Sequence, residues 1–208
     1  MQKNRIAYII FCLACFSISV KTYSQTTEDT ASSSATGVRG YSFVAYISGG
    51  IGYYATNPGT PVSVTTKTSK LGAVATLRIL WHPDHLLRIG IETGYMTFYS
   101  YTIKDSAGNT GKSTLSGVPI LLVVSMPITH RLNAFFGTGF YNLTTSLNYA
   151  GKVDSHKLSV GWMLAASYIQ PVNKRLGIGT EIKWMDAAQT VDGSIVAQLQ
   201  LVWKFVTW

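Results

Sequence analysis

From residue 38 onward the sequence alternates with a period of two, and that leaves the chain few folds. Leu71, Ala73, Ala75, Leu77, Ile79 and Trp81 share one parity, with Gly72, Val74, Thr76 and Arg78 on the other. Leu87, Ile89 and Ile91 alternate with Arg88, Gly90 and Glu92. Leu176, Ile178, Thr180, Ile182 and Trp184 alternate with Gly177, Gly179, Glu181 and Lys183. Ile195, Ala197, Leu199, Leu201, Trp203 and Phe205 alternate with Ser194, Gln198, Gln200 and Lys204. Neighbouring side chains on a strand point to opposite faces, so each run is a strand with one apolar face and one polar or glycine face. The pattern predicts eight strands, at 40–55, 69–82, 86–102, 113–126, 131–146, 157–170, 175–187 and 193–207. Most are two to three times the length of an ordinary strand of about 5–6 residues. A tilted strand crossing a bilayer needs about 9–11 residues. The segment 113–126 fits least well, because GVPILLVVSM is apolar on both faces and Pro119 cannot donate to a ladder.

The connections carry a second pattern. Pro83, Pro127 and Pro171 are spaced by 44 residues, and each is followed within five residues by a leucine, Leu87, Leu132 and Leu176. The matching segments read HPDHLLRIGIETG, MPITHRLNAFFGTG and QPVNKRLGIGTEI. They form an internal repeat of two strands, one tight turn and one longer connection. The longer connections are expected at 56–68, 103–112, 147–156 and 188–192. Long loops alternating with tight turns around antiparallel strands is the arrangement of an outer-membrane barrel, and an even strand number returns both termini to the periplasmic side.

A soluble lipocalin-like barrel also has eight alternating strands, but with apolar residues inside. Here Arg78, Arg88, Glu92, Glu181, Lys183 and Lys204 share the face that carries Gly90, Gly94, Gly137, Gly139, Gly177 and Gly179. Small residues among charges suit a crowded lumen and make a poor solvent face. Backbone groups left unpaired in hydrocarbon cost several kcal/mol each, so membrane strands must close on themselves. Tyr53, Tyr95, Tyr99, Tyr101 and Trp184 fall at the outer strand ends, and Trp81, Trp203 and Phe205 at the periplasmic ends. Two aromatic belts are thereby predicted. The chain ends on Trp208, one residue out of step with Trp203 and Phe205. The expected fold is all-β: an eight-stranded antiparallel up-and-down transmembrane β-barrel over 38–208.

Composition agrees. The chain is 47% apolar and only 12% charged, about half the charged share of a soluble domain, which excludes a disordered chain. Lys3 and Arg5 precede an apolar run from Ile6 to Val20, then Lys21-Thr22-Tyr23-Ser24-Gln25. These are the parts of a secretory signal peptide cleaved after Ser24. A signal anchor fits less well because the apolar run is short. Lipidation at Cys15 fits less well because Cys12 stands where an aliphatic residue belongs. Residues 25–37 read as a polar, disordered periplasmic arm. Both cysteines lie within residues 1–24, so residues 25–208 offer no disulfide and no thiolate metal site. Removing residues 1–24 also takes away Lys3, Arg5 and Lys21, which reduces the net charge from +8 to +5. No basic face with aromatic stacking emerges, so nucleic acid is set aside as a partner.

The signal-like N-terminus followed by Gln25, the VPILLVV strand after a glycine-rich connection, and FFGTGFYN in the fifth strand belong together. Over about residues 38–208 they resemble the small outer-membrane β-barrel family common in Bacteroidota, the PorT-like or OmpA-like transmembrane barrels. That resemblance implies an outer-membrane location more than an activity. The family pattern often places an acidic residue before the VPILLVV strand and a lysine after it. Gly117 and Val123 stand there in this chain, so no role is carried over to those positions.

Three constellations remain as candidate sites. Pairing across the first short turn is expected to bring Arg78 near Gly90 and diagonally near Glu92. Pairing of the last two strands sets Glu181 opposite Gln198, with Lys183 and Gln200 nearby. With Arg88 and Lys204 these form a lumen charge network, read either as a structural plug or as the lining of a narrow channel for small solutes. The second constellation would be a hydrolase or acyltransferase site at the outer rim. It is opposed by Ser155 and His156 being adjacent, which sends them to opposite faces, and His82, His85 and His130 sit at the wrong end. His82 and His85 alone make a poor metal site, and no cofactor or metal is implied. The third is a set of lysines in the outer loops, Lys67, Lys70, Lys104, Lys112, Lys152 and Lys157, read either as meeting lipopolysaccharide phosphates as point charges or as a simply solvated loop surface. The expectation is a monomeric, non-enzymatic outer-membrane barrel with a structural or interaction role in the envelope. Its partners would be outer-membrane lipid, lipopolysaccharide and an envelope protein. The alternatives are a narrow channel and an accessory component of a secretion or assembly machine.

Overall fold

The computed structural model describes residues 41–56, 65–83, 87–104, 110–148, 151–190 and 192–207. The signal peptide and arm expected at 1–37, and His85, lie outside the described residues. The strands are β1 Ser42–Tyr54, β2 Thr65–Ser69, β3 Leu71–His82, β4 Arg88–Lys104, β5 Thr110–Pro127, β6 Leu132–Asn148, β7 Lys152–Pro171, β8 Leu176–Ala187 and β9 Ser194–Thr207. Each long strand pairs antiparallel with its sequence neighbour, and β1 pairs with β9, so the sheet closes on itself. The ring has eight staves. A ninth strand arises because the chain breaks at Lys70: β2 and β3 lie along the same edge of β4, on Ser100–Lys104 and Ile89–Met96 respectively.

The alternation is inside-out, as the charge placement predicts. Leu199 is 69% exposed while its neighbour Gln198 is 4% exposed, and Ile182 is 65% exposed beside Lys183 at 1%. An apolar exterior around a polar interior has no place for a lipocalin-like barrel. The doubtful segment is a continuous strand: Ile120 and Leu122 face outward, Leu121 and Val123 are buried inside, and Pro119 sits opposite Tyr141.

The two short turns with all residues described share one design. In each, the amides two and one residues before the turn's centre donate to the carbonyl of the leucine that restarts the sheet: Ile128 and Thr129 to Leu132, Val172 and Asn173 to Leu176. The Thr129 hydroxyl accepts from the Leu132 amide at 3.1 Å, and Asn173 Oδ1 accepts from the Leu176 amide at 2.7 Å. Thr129 and Asn173 are therefore equivalent members of the 44-residue repeat, each a side chain mimicking a backbone turn. Close strand approach at β3–β4 requires a glycine: a Cβ on Gly90 would fall 1.9 Å from the Ile79 carbonyl oxygen.

The opposite end departs from expectation. Strands β4 to β7 have 17, 18, 17 and 20 residues, against 12 to 14 for β1, β3, β8 and β9. The excess extends the sheet beyond the closed ring. Much of the loops expected at 103–112 and 147–156 is strand, paired out to Lys104–Thr110 and Asn148–Lys152. Tyr99 also leaves the outer belt. The register shifts between Thr97 and Tyr99, and Tyr99 packs 5.1 Å from the buried ring of Tyr54. Tyr53 and Tyr95 remain outward at this end, and Trp81, Trp203 and Phe205 at the other.

Candidate functional site

Four of the six predicted lumen charges meet at one point. β3 supplies Arg78, β4 Glu92, and β8 both Glu181 and Lys183; all four are at most 2% exposed. Arg78 and Glu92 are direct cross-strand partners. The expected offset to Gly90 is wrong by two residues: the register of β3 on β4 opposes Leu80, not Arg78, to Gly90. Glu181 is opposite Gln198 as expected.

The four form a closed ring of alternating sign. Arg78 Nε donates to Glu92 Oε2 at 2.6 Å, and its Nη1 to Glu181 Oε2 at 2.8 Å. Lys183 Nζ donates to Glu92 Oε1 and is paired with Glu181 Oε1, each at 2.7 Å. Each carboxylate thus holds both cations, and each cation both carboxylates, for a net charge of zero. Polar neighbours surround the ring. Gln200 Nε2 donates to Glu181 Oε2 at 2.7 Å, Ser167 donates to Gln200 Oε1, and Thr76 donates to Gln198 Oε1 at 3.3 Å. Phe135 stacks on the Arg78 guanidinium, its centroid 4.1 Å from Cζ. Burying ions this deeply is tolerable only when every one is paired and hydrogen-bonded. Thr76, Ser167 and Phe135 escape sequence reasoning, since only closure of the barrel brings β3, β6 and β7 around β8 and β9.

Buried apolar side chains complete the filling. Met96, Met163, Met185, Phe98 and Tyr141 are all at most 1% exposed inside the ring. The interior is a packed core, as the width of eight strands allows.

Arg88 and Lys204 do not join the ring. Both face inward at the short-turn mouth, half-buried, and Arg88 Nη1 donates to Asn133 Oδ1 at 3.1 Å. All of the predicted lysines except Lys70 lie on strands rather than in loops. Lys112 is on β5 and Lys152 and Lys157 are on β7, all exposed, while Lys70 sits between β2 and β3 with its Nζ 5.8 Å from the Tyr53 ring centroid. Lys67 and Lys104 are on β2 and β4; their side chains lie outside the described residues. Lys152 pairs with Asp154 at 3.2 Å. His156 turns to the hydroxyl of Thr144, 3.0 Å away, and not to Ser155. Among the described residues no group of three His, Cys, Asp or Glu is placed to hold a metal.

No family model and no curated protein matches the chain. Solved structures do. The outer membrane protein OprG from Pseudomonas aeruginosa aligns with 79% of this chain and 96% of its own, at 10% identity and a TM-score of 0.50. Ail, the attachment invasion locus protein of Yersinia pestis, solved with the heparin analogue sucrose octasulfate, aligns over 80% and 98% at 8% identity and a TM-score of 0.49. Neisserial surface protein A aligns over 80% and 97% at 12% identity and a TM-score of 0.45. At 10% identity the likeness to OprG is one of fold: an antiparallel up-and-down barrel of the small outer-membrane kind.

Proposed function

We propose that this protein is an exported, monomeric outer-membrane barrel of the PorT-like or OmpA-like kind found in Bacteroidota, with a non-enzymatic structural or interaction role in the envelope. Residues 1–24 act as the signal peptide and 25–37 as a periplasmic arm, which mass spectrometry of the mature N-terminus tests directly. The short turns then face the periplasm, and the extended sheet of β4 to β7 stands outside the cell. The observation that carries the reading is the neutral ring of Arg78, Glu92, Glu181 and Lys183 inside a lumen packed with methionine, aromatic, aliphatic and small polar side chains. A solute would have to displace buried, fully paired charges to pass, which is costly in so closed a site. The barrel therefore acts through its surfaces, with outer lysines toward lipopolysaccharide and the sheet available to an envelope protein such as a secretion or assembly component.

Planar-bilayer recording separates this reading from the narrow channel. The expected result is a silent membrane. Discrete conductance steps whose size changes on charge reversal at Glu92 or Glu181 would establish the channel instead.

A further inference from the structure

We propose that the short-turn mouth of the barrel is a binding site for a small organic anion, a carboxylate carried on a compact apolar body, with Arg88 as its charge partner. The proposal stands on the mouth alone and does not depend on the outer-membrane reading.

The charge accounting comes first. Glu92 and Glu181 are the carboxylates buried inside the described barrel, and Arg78 and Lys183 neutralise both. Arg88 and Lys204 are left at the mouth with no carboxylate partner among the described residues. A guanidinium has five N–H donors in a planar fork, and the hydrogen bond Arg88 makes is to the neutral amide oxygen of Asn133. The imidazole of His82 is turned to the same mouth, opposite Ser42, with Arg88 and Lys204 both acting on it electrostatically. Its Nε2 is buried and finds no hydrogen-bond partner among the described residues. Buried polar atoms are rarely left so. Arg88, with no carboxylate opposing it among the described residues, is the group at this mouth that an anion would pair with.

The second observation is a space. A cavity of about 640 Å³ opens at this mouth, within the range of roughly 300–1,000 Å³ typical of small-molecule sites. Its lining mixes the two chemistries: Arg88, Asn133, Thr129 and His130 with Ile128, Ile169 and Pro171. A free inorganic anion would leave the apolar side chains wet, and an uncharged apolar molecule would leave Arg88 without a counter-charge. An amphipathic anion satisfies both kinds of lining, and the fork of Arg88 matches a planar carboxylate bidentately.

Benzoate is a suitable probe, and benzyl alcohol its uncharged counterpart. The folded barrel in detergent micelles, carrying 13C-labelled isoleucine methyls, is titrated with each, following Ile128 and Ile169, with Ile51 and Ile182 on the exterior as references. Benzoate should shift Ile128 and Ile169 saturably while leaving the references in place, and benzyl alcohol should bind at least tenfold more weakly. Arg88→Gln should weaken benzoate by about tenfold or more, the loss expected for a charge-assisted hydrogen bond. Arg175→Gln, which removes an exposed cation of the same end outside the cavity, should leave the affinity unchanged. The proposal is overturned if benzoate shifts nothing saturably, if benzyl alcohol binds as well as benzoate, or if Arg175→Gln costs as much as Arg88→Gln. The comparison of the two probes needs only the unaltered protein, so failure of Arg88→Gln to fold would not rescue the idea.

Discussion

Glu92 accepts hydrogen bonds from Arg78 and Lys183 at once, and so does Glu181. Removing one member therefore does not remove one pair; it leaves the ring with a net charge in a site shut off from water. Glu92→Gln keeps the shape and deletes the charge, so Arg78 and Lys183 are left to share Glu181. The expected cost is about 3–5 kcal/mol, read as a lowered urea midpoint for unfolding in detergent. Lys183→Met alone should cost a similar amount. The double variant restores neutrality, with Arg78 and Glu181 still paired, and should lose less than the sum of the singles by about 0.5–3 kcal/mol. Strict additivity would show that the four side chains do not act as a unit.

Among the elements, β7 has the least symmetrical surroundings. Its residues 152–160 pair with β6 throughout, yet the β7–β8 register begins only at Gly161–Ala187. Seven residues, Lys152 to Leu158, are exposed on both faces in consequence. Hydrogen exchange should divide this one strand: those amides of 152–158 that point away from β6 exchange fast, while 161–171 stay protected. Uniform protection would mean that the edge is covered. The hairpin tip also carries an acid switch. Hydrogen bonds from Ser146 and Lys152 hold the Asp154 carboxyl below its ordinary 3.8. A carboxyl lowered in the folded state stabilises above its unfolded pKa, and that contribution fades as pH falls through the folded value. Protection at the tip, measured as the exchange rate relative to the intrinsic rate at the same pH, should therefore fall on acidification below about pH 4, and Asp154→Asn should remove that dependence. The sequence made the faces of these strands legible, because alternation is a local property of the chain. It did not make register legible. Arg78 meets Glu92 instead of Gly90 because the turn geometry decides which residues oppose each other. Nor could it tell the extended ends of β4 to β7 from loops: Ser, Thr, Asn and Lys read as loop until a neighbouring strand offers them hydrogen bonds, and that neighbour is not local. The ring of four charges was legible as a set of residues on one face. Its closure was not, because it depends on β3 and β8 meeting across the lumen.

For the molecule as a whole, the charges sort into three tiers. Among the described residues, the middle tier is neutral, the short-turn end is basic through Arg88, Arg131, Lys174, Arg175 and Lys204, and the extended end is basic through lysines. Lysine is a compact, strongly hydrated point charge, suited to a phosphate layer rather than to a bidentate pocket. Lys112, Lys152 and Lys157 are exposed on the sheet that stands beyond the ring, with Asp154 as the acid beside them. On the outer-membrane reading this height meets the phosphates of lipopolysaccharide. A lysine near an anionic membrane surface contributes about 1 kcal/mol, so replacing all three by glutamine should weaken binding to lipopolysaccharide by roughly two orders of magnitude at low salt. Raising the ionic strength to about 1 M, where the screening length falls to about 3 Å, should erase most of the difference between the two proteins. On the same reading, replacing Arg131 and Arg175 at the opposite end should leave the affinity unchanged. Equal losses from both sets would show that total charge, not its height on the barrel, governs the attraction. In that case the extended sheet would be left without an electrostatic role. The apolar exterior is unaltered in every one of these variants, so heat-dependent gel migration checks that each still carries a closed barrel before its affinity is compared.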